Sequence, residues 1–319
     1  MQENIRGRKI PLAVEFSEIR KSPMTKKALH KKTHHLTISD VLLSAMKTLK
    51  KKKLPSVALD AEVLLAYTLK KDRAFILAHP EYVLGASEIH TYRACIQNRV
   101  HHVTVAYITG RRDFYGHSFF VNNHVLIPRQ ETELLVEEAS MYLRQHPKKK
   151  SLLDVGTGSG CIALSVAKEI PSLQKIIATD VSEAALSVAK KNARVCGCEK
   201  RIVFQKAHMF GSLKDSFDCI VANLPYLSQK EYAQAKKLYP EIAYEPKGAI
   251  CAGKTGLELF ELFFRHVYRQ LNPDGTIFLE IGNEQKRSIQ RLVKTYLPQA
   301  DVRFVRDLTK RIRVAIVQM

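Results

Sequence analysis

The segment that most restricts how this chain can fold is Leu152-Leu153-Asp154-Val155-Gly156-Thr157-Gly158-Ser159-Gly160. An apolar strand here runs into three alternating glycines and then into a helix predicted over 161–170. Such a strand–turn–helix is half of a βαβ unit, and a βαβ unit requires a parallel neighbour for its strand. Glycines at the turn let the backbone approach a ligand without a Cβ clash. Ligands of such sheets collect at the carboxyl ends of the strands, beside the helix N-terminus.

The chain beyond residue 128 bears this out as a pattern. Strands are predicted at 151–155, 175–179, 202–205, 217–222, 275–281 and 313–318, with helices over 132–145, 161–170, 183–195, 256–271 and 284–296. The alternation gives the fold class: an α/β, Rossmann-like, doubly wound sheet over 128–319. Upstream the texture differs. Thr37-Ile38-Ser39-Asp40 offers cap residues before Val41, Leu42, Leu43, Met46 and Leu49, and Pro55 closes that helix. Further amphipathic helices from about Ser56 and over 87–100 make a small helical domain at 36–105. Between the two domains, glycine-punctuated alternation from Tyr107-Ile108-Thr109-Gly110 to Val125-Leu126-Ile127 predicts a β-hairpin connector at 106–127.

The glycine loop departs from the dinucleotide fingerprint G-x-G-x-x-G, because its third glycine comes one residue early. Asp154 would also repel a pyrophosphate. An acid there suits a cationic ligand, and S-adenosylmethionine carries an ammonium and a sulfonium. Asp180 ends the next strand, about 20 residues beyond the glycines, where a carboxylate can accept hydrogen bonds from both ribose hydroxyls. The candidate cofactor-binding residues are therefore Asp154, Gly156, Thr157, Gly158, Ser159, Gly160 and Asp180. A glycine-rich turn without a ligand is the blander alternative.

A second motif bears on the substrate. The strand Cys219-Ile220-Val221-Ala222 runs into Asn223-Leu224-Pro225-Tyr226. An amide or exocyclic amine nitrogen is a poor nucleophile, because its lone pair is delocalised. Both its N–H groups must be held while the lone pair turns toward a methyl donor. The Asn223 carboxamide oxygen and the Leu224 carbonyl can accept those hydrogens. Pro225 stiffens the loop, and Tyr226 offers an apolar face and a hydroxyl. No strong general base is needed, so catalysis would rest on positioning and preorganised dipoles. These four are the candidate catalytic and substrate-binding residues, with Asn223 also beside the cofactor.

Charge and cysteine content narrow the setting. The net charge is +20, and residues 1–53 carry 14 Lys/Arg against 4 Asp/Glu. Residues 1–35 read as a basic extension without sustained period, expected to be disordered. A basic surplus also suits weak association with RNA or the ribosome. The six cysteines form no C-x-x-C pair, and Cys196-Gly197-Cys198 is too tight for a zinc knuckle, so no metal site is expected and a reducing, cytoplasmic setting is. No apolar run reaches the roughly 18 residues of a membrane span, and no secretory signal is evident.

With these residues in place, the chain from 36 to 319 resembles the release factor glutamine methyltransferases. The matches include Tyr107-Ile108-Thr109-Gly110, Phe114-Tyr115-Gly116, Leu126-Ile127-Pro128-Arg129, Glu131-Thr132-Glu133, Tyr244-Glu245-Pro246, Gly253, Gly256-Leu257, Leu279-Glu280-Ile281-Gly282, Asp307-Leu308 and Arg313. The resemblance implies an S-adenosylmethionine cofactor held by 156–160, Asp180, Met209 and Asn223. It implies a substrate, the glutamine of the Gly-Gly-Gln loop of peptide release factors, held by 223–226, with the helical domain recognising it. Three departures stand out. Leu224 replaces the usual first proline of Asn-Pro-Pro-Tyr, Gln130 stands where proline is usual, and Ala207-His208-Met209-Phe210 lacks the family's acid and aromatic. Asn-Leu-Pro-Tyr also resembles the adenine N6 methyltransferases of ribosomal RNA, which is the alternative activity. A non-enzymatic nucleic-acid-binding protein is the third class.

Overall fold

The computed structural model describes residues 36–319; the basic extension expected over 1–35 lies outside them. Helices α1 (Ile38–Lys51), α2 (Val57–Leu69), α3 (Arg73–Ala78) and α4 (Ala86–Val100) form the predicted helical region. Thr37 starts α1 with a capping box: its hydroxyl accepts from the Asp40 N–H, and the Asp40 carboxylate accepts from the Thr37 N–H. The buried stripe of α1 is Ile38, Val41, Ala45 and Leu49, whereas Leu43, expected on that face, is 53% exposed. Arg99 of α4 and Asp60 of α2 form a buried ion pair at 2.7 Å.

The connector differs in part from expectation. Residues 107–110 were expected to extend, but Val105–Thr109 is a short helix, α5. The Thr104 hydroxyl accepts from the Tyr107 N–H at its start, and Gly110, at φ +71°, ends it. Local capping outweighs alternation over so few residues. The hairpin proper is β1 (Arg111–Phe114) paired antiparallel with β2 (His117–Phe120). Its turn, Tyr115-Gly116, has two positive φ angles, as a twist-matched two-residue turn requires. Residues 125–127, also expected to be a strand, form none; Tyr107 pins that segment by donating to the Val125 carbonyl.

Helix α6 (Glu133–Gln145) leads into the main sheet, whose strands are β3 (Ser151–Val155), β4 (Lys175–Asp180), β5 (Val203–Lys206), β6 (Phe217–Ala222), β9 (Leu271–Glu280), β10 (Asp301–Arg306) and β11 (Ile312–Gln318). The order across the sheet is β10-β11-β9-β6-β3-β4-β5; β11 runs against its neighbours, and the pairs from β9 to β5 are parallel. Helices α7 (Cys161–Glu169), α8 (Glu183–Val195), α10 (Glu258–Val267) and α11 (Lys286–Tyr296) are the crossovers, with two apolar clusters between helices and sheet. A polar helix, α9 (Gln229–Leu238), and a small ladder between β7 (Leu227–Ser228) and β8 (Cys251–Gly253) follow β6. Strand order reverses between β3 and β6, so the crevice of this doubly wound sheet opens there, at their carboxyl ends. Val155 is in register with Ala222, which sets the glycine loop directly beside Asn223.

Candidate active site

The glycine loop is held from behind. Asp154 is fully buried; one carboxylate oxygen accepts from the Thr157 hydroxyl at 2.6 Å and from the Ala163 N–H of α7 at 3.2 Å. Its other oxygen is buried without a partner. Burial pushes the carboxyl up to about 7. Asp154 therefore braces the loop against α7 and lies outside the cavity that the loop borders. Gly160 also packs: a Cβ there would stand 3.0 Å from Leu164 and 3.2 Å from Ala189, so the glycine lets α7 and α8 close together. Asn192 of α8 ties the hairpin to the same loop, bonding both the N–H and the carbonyl of Phe120 and donating to the Ser159 carbonyl.

In front of the loop lies a cavity of about 410 Å³. Of the residues expected in the site, Gly156, Thr157, Gly158, Ser159, Asp180, Met209, Asn223, Leu224 and Pro225 line it, and Asp154, Gly160 and Tyr226 do not. A Cβ built on Gly158 meets nothing within 4 Å. Asp180 accepts from the Gly158 N–H at 2.9 Å and from the Ser182 N–H at 2.8 Å, and burial holds its carboxyl above the usual range. Met209 has a left-handed backbone (φ +53°), fixed by the Thr179 hydroxyl donating to its carbonyl at 3.2 Å. Non-glycine residues rarely adopt that conformation, and it turns Met209 to the cavity wall.

Asn223 donates from Nδ2 to the Thr132 hydroxyl at 3.2 Å, and Thr132 donates to Glu280 at 2.6 Å. Tyr226 packs behind this loop against the apolar cluster under β6 and β9. Burial and the neighbouring Glu280 raise its phenol well above the ordinary range. The Tyr226 carbonyl accepts from Gln285 at 3.0 Å, and Gly256 stands so close that a Cβ would lie 2.5 Å from that oxygen. Nearby, the buried Glu245 accepts from the Ile127 N–H and pairs with Arg129, which lines the cavity. The sequence alone assigns no role to Thr132, Glu245, Glu280 or Gln285, although Thr132, Glu245 and Glu280 lie in segments shared with the glutamine methyltransferases.

The residues fit an S-adenosyl ligand in shape and chemistry. The cavity offers the Asp180 carboxylate as an acceptor for hydroxyl groups, Gly158 leaves the space a side chain would fill, and Val181, Met209 and Leu126 offer apolar surface that a planar base could meet. Among the described residues no helix is long and apolar enough to cross a membrane.

The chain is similar to several known proteins. Residues 40–110 match the family model of the PrmC N-terminal domain, and residues 130–243 that of the methyltransferase small domain. The release factor glutamine methyltransferase of Koribacter versatilis is 37% identical over 249 residues, covering 77% of this chain and 87% of that protein. The enzyme of the same name from Xylella fastidiosa is 35% identical over 258 residues, 81% of this chain and 91% of its own. A bifunctional methyltransferase of Rickettsia prowazekii is 35% identical over 296 residues, and the chain spans 56% of that longer protein. Among solved structures, the catalytic domain of hMettl16 in complex with MAT2A 3′UTR hairpin 1 superposes with a TM-score of 0.51 at 17% identity. It covers 80% of this chain and 90% of that one, a likeness of fold alone. By the two release factor glutamine methyltransferases, each matched over more than four fifths of its length, the chain belongs to the release factor glutamine methyltransferase family.

Proposed function

We propose that this chain methylates the side-chain amide nitrogen of the glutamine in the Gly-Gly-Gln loop of peptide release factors, with S-adenosylmethionine as donor. One observation carries the reading: the Asn223 carboxamide stands at the cavity beside the glycine loop, through the pairing of β6 with β3. The donor supplies an electrophilic methyl group on sulfur. Asp180 accepts from the ribose hydroxyls, and the backbone at Gly158 admits the ligand where a side chain would obstruct it. Asn223 Oδ1 and the Leu224 carbonyl accept the two amide N–H groups, which holds the nitrogen with its lone pair toward the methyl. No basic side chain is required, because the proton leaves after the nitrogen has gained its methyl. Acceleration then comes from orientation and fixed dipoles. The Asp154, Thr157 and Ala163 contacts keep the loop rigid, and Tyr226 supports it from behind.

The helical region at 36–105 and the connector at 106–127 are the surfaces we assign to the release factor. A glutamine side chain alone presents too little area for specificity, so selection must act on the surrounding protein. The glycines before the glutamine would let a narrow backbone enter the cleft.

Methyl transfer from labelled S-adenosylmethionine, with a release factor and total ribosomal RNA offered in parallel, tests the reading. One added methyl on the glutamine of the Gly-Gly-Gln loop, lost when that glutamine is replaced by asparagine, supports it. Label on adenine with an unmodified release factor after long incubation overturns it in favour of the RNA enzyme.

A further inference from the structure

The carboxamide of Asn223 has two ends, and only one serves an amide substrate. If Oδ1 faces the cavity it accepts a substrate N–H; if Nδ2 faces the cavity, donor meets donor. Two buried residues fix the choice. Thr132 and Glu280 are 2% and 3% exposed, and the Thr132 hydroxyl donates to Glu280 Oε2 at 2.6 Å. An ionised carboxylate can only accept, and a threonine hydroxyl has one proton to give. With that proton committed to Glu280, the Thr132 oxygen is left as an acceptor. The group of Asn223 that meets it at 3.2 Å must then be the Nδ2 amine.

We propose that Thr132 and Glu280 are positioning residues for the methyl transfer, a one-way hydrogen-bond chain that holds the Asn223 carboxamide with its oxygen toward the substrate. The proposal rests on the reading that Asn223 receives the substrate amide. Neither residue is asked to touch the reacting atoms. Thr132 reaches Asn223 from the start of α6, and Glu280 stands at the end of β9 next to β6. The chain therefore links three elements that meet at the crevice.

The direction of the chain depends on the Glu280 charge. Around it stand Arg313, Arg129, Glu131, Tyr226 and Cys161, from the last strand, the segment before α6, the loop after β6 and the start of α7. Burial outweighs the two arginines and pushes the carboxyl up to about 7. Protonated Glu280 can donate to the Thr132 oxygen. The threonine proton is then released toward Asn223, whose Oδ1 must turn inward to meet it, leaving Nδ2 toward the substrate.

The test is the pH dependence of kcat at saturating S-adenosylmethionine and release factor, with cofactor affinity measured by calorimetry. In the wild-type enzyme kcat should rise through about pH 7 as Glu280 ionises. Glu280→Gln, which cannot ionise, should lose that acid limb. Thr132→Val should lower kcat by about tenfold, the typical value of one hydrogen bond that orients a polar group. Its cofactor affinity should stay near wild type, and Thr132→Ser should recover most of the loss. The proposal is overturned if Glu280→Gln keeps the wild-type acid limb. It is equally overturned if Thr132→Val either turns over normally or loses cofactor affinity in step with kcat, since the last would mark a purely structural role. A wild-type protein that never labels the release factor would instead defeat the substrate reading, whereas labelling with indifferent variants defeats only this chain.

Discussion

At the scale of single residues, the two acids around the glycine loop part company. Asp180 lines the cavity with its carboxylate, so Asp180→Ala should weaken S-adenosylmethionine binding by about 1.5–3 kcal/mol, the range for hydrogen bonds to a charged group. Calorimetry returning wild-type affinity from a folded Asp180→Ala protein would remove it from the site. Asp154 is walled off, and its carboxyl is raised from 3.8 to about 7. Between those values the folded protein keeps a proton that the unfolded chain has released. This contribution to stability is complete below the unfolded value and is lost as pH rises through the folded one. Asp154→Asn can accept the same two hydrogen bonds without ever carrying charge. Its melting temperature relative to wild type should therefore climb as pH goes from about 4 to about 7 and level off above that, measured by thermal unfolding without cofactor. A difference independent of pH would mean that Asp154 titrates elsewhere. The sequence identified both acids because each lies in a short local pattern. It could not separate ligand contact from brace, because that depends on which way the loop turns. Thr132 and Glu280 were less legible still: 148 positions separate them, and only the folded sheet makes them a pair.

Among the elements, the strands and helices with strong apolar character fell close to their expected positions, and the exceptions share a cause. Helix α9 buries none of its residues, so it has no apolar period, though the Ser228–Glu231 capping box marks its start. Strand β10 is the sheet edge, and its charged residues alternate with the half-buried Val302 and Phe304. Segment α5 has five residues, too few for a period to outweigh its caps. The loop 223–226, proposed to be catalytic, depends on elements of this quiet kind. The chain after Tyr226 is clamped between Gly256, at φ +83°, and Gln285, which donates to the Tyr226 and Gly256 carbonyls. Gly256→Ala adds a methyl group where backbone already stands at 2.5 Å, together with a left-handed strain of about 1–3 kcal/mol. We expect the loop to shift, with kcat falling well below wild type while cofactor affinity changes little. Unchanged turnover in that variant would show the clamp to be irrelevant. Leu224→Pro should behave oppositely. In the proposed mechanism only the backbone carbonyl of residue 224 is used, so the variant should remain active in the methylation assay, and a folded but inactive protein would refute the carbonyl's role.

Across the whole molecule, the helical region and the cavity wall are joined by one short polar path. Arg99 of α4 pairs with Asp60 inside the helical region and reaches Glu241 beyond it at 3.3 Å. Four residues later Glu245 holds the Ile127 N–H and Arg129, the latter on the cavity wall. Tyr244, between them, donates to the His101 carbonyl at the end of α4. A release factor bound to the helical region would therefore sit on a support whose other end borders the site of chemistry. Glu241→Ala cuts this path at its partly exposed link. Arg99 keeps Asp60 as a partner, so the stability cost should stay near about 1 kcal/mol, that of a partly exposed ion pair. Cofactor affinity should not move, because Glu241 does not line the cavity. The Michaelis constant for an intact release factor should rise severalfold, while a short peptide carrying only the Gly-Gly-Gln loop should be methylated as before, since it has nothing to dock on the helices. Removing residues 1–35 should leave both substrates unaffected if the docking surface lies within 36–127. Steady-state kinetics on the two substrates separate the possibilities. An equal change for peptide and protein would mean that Glu241 acts on the catalytic loop, and no change for either would mean that the helical region docks its partner without help from this path.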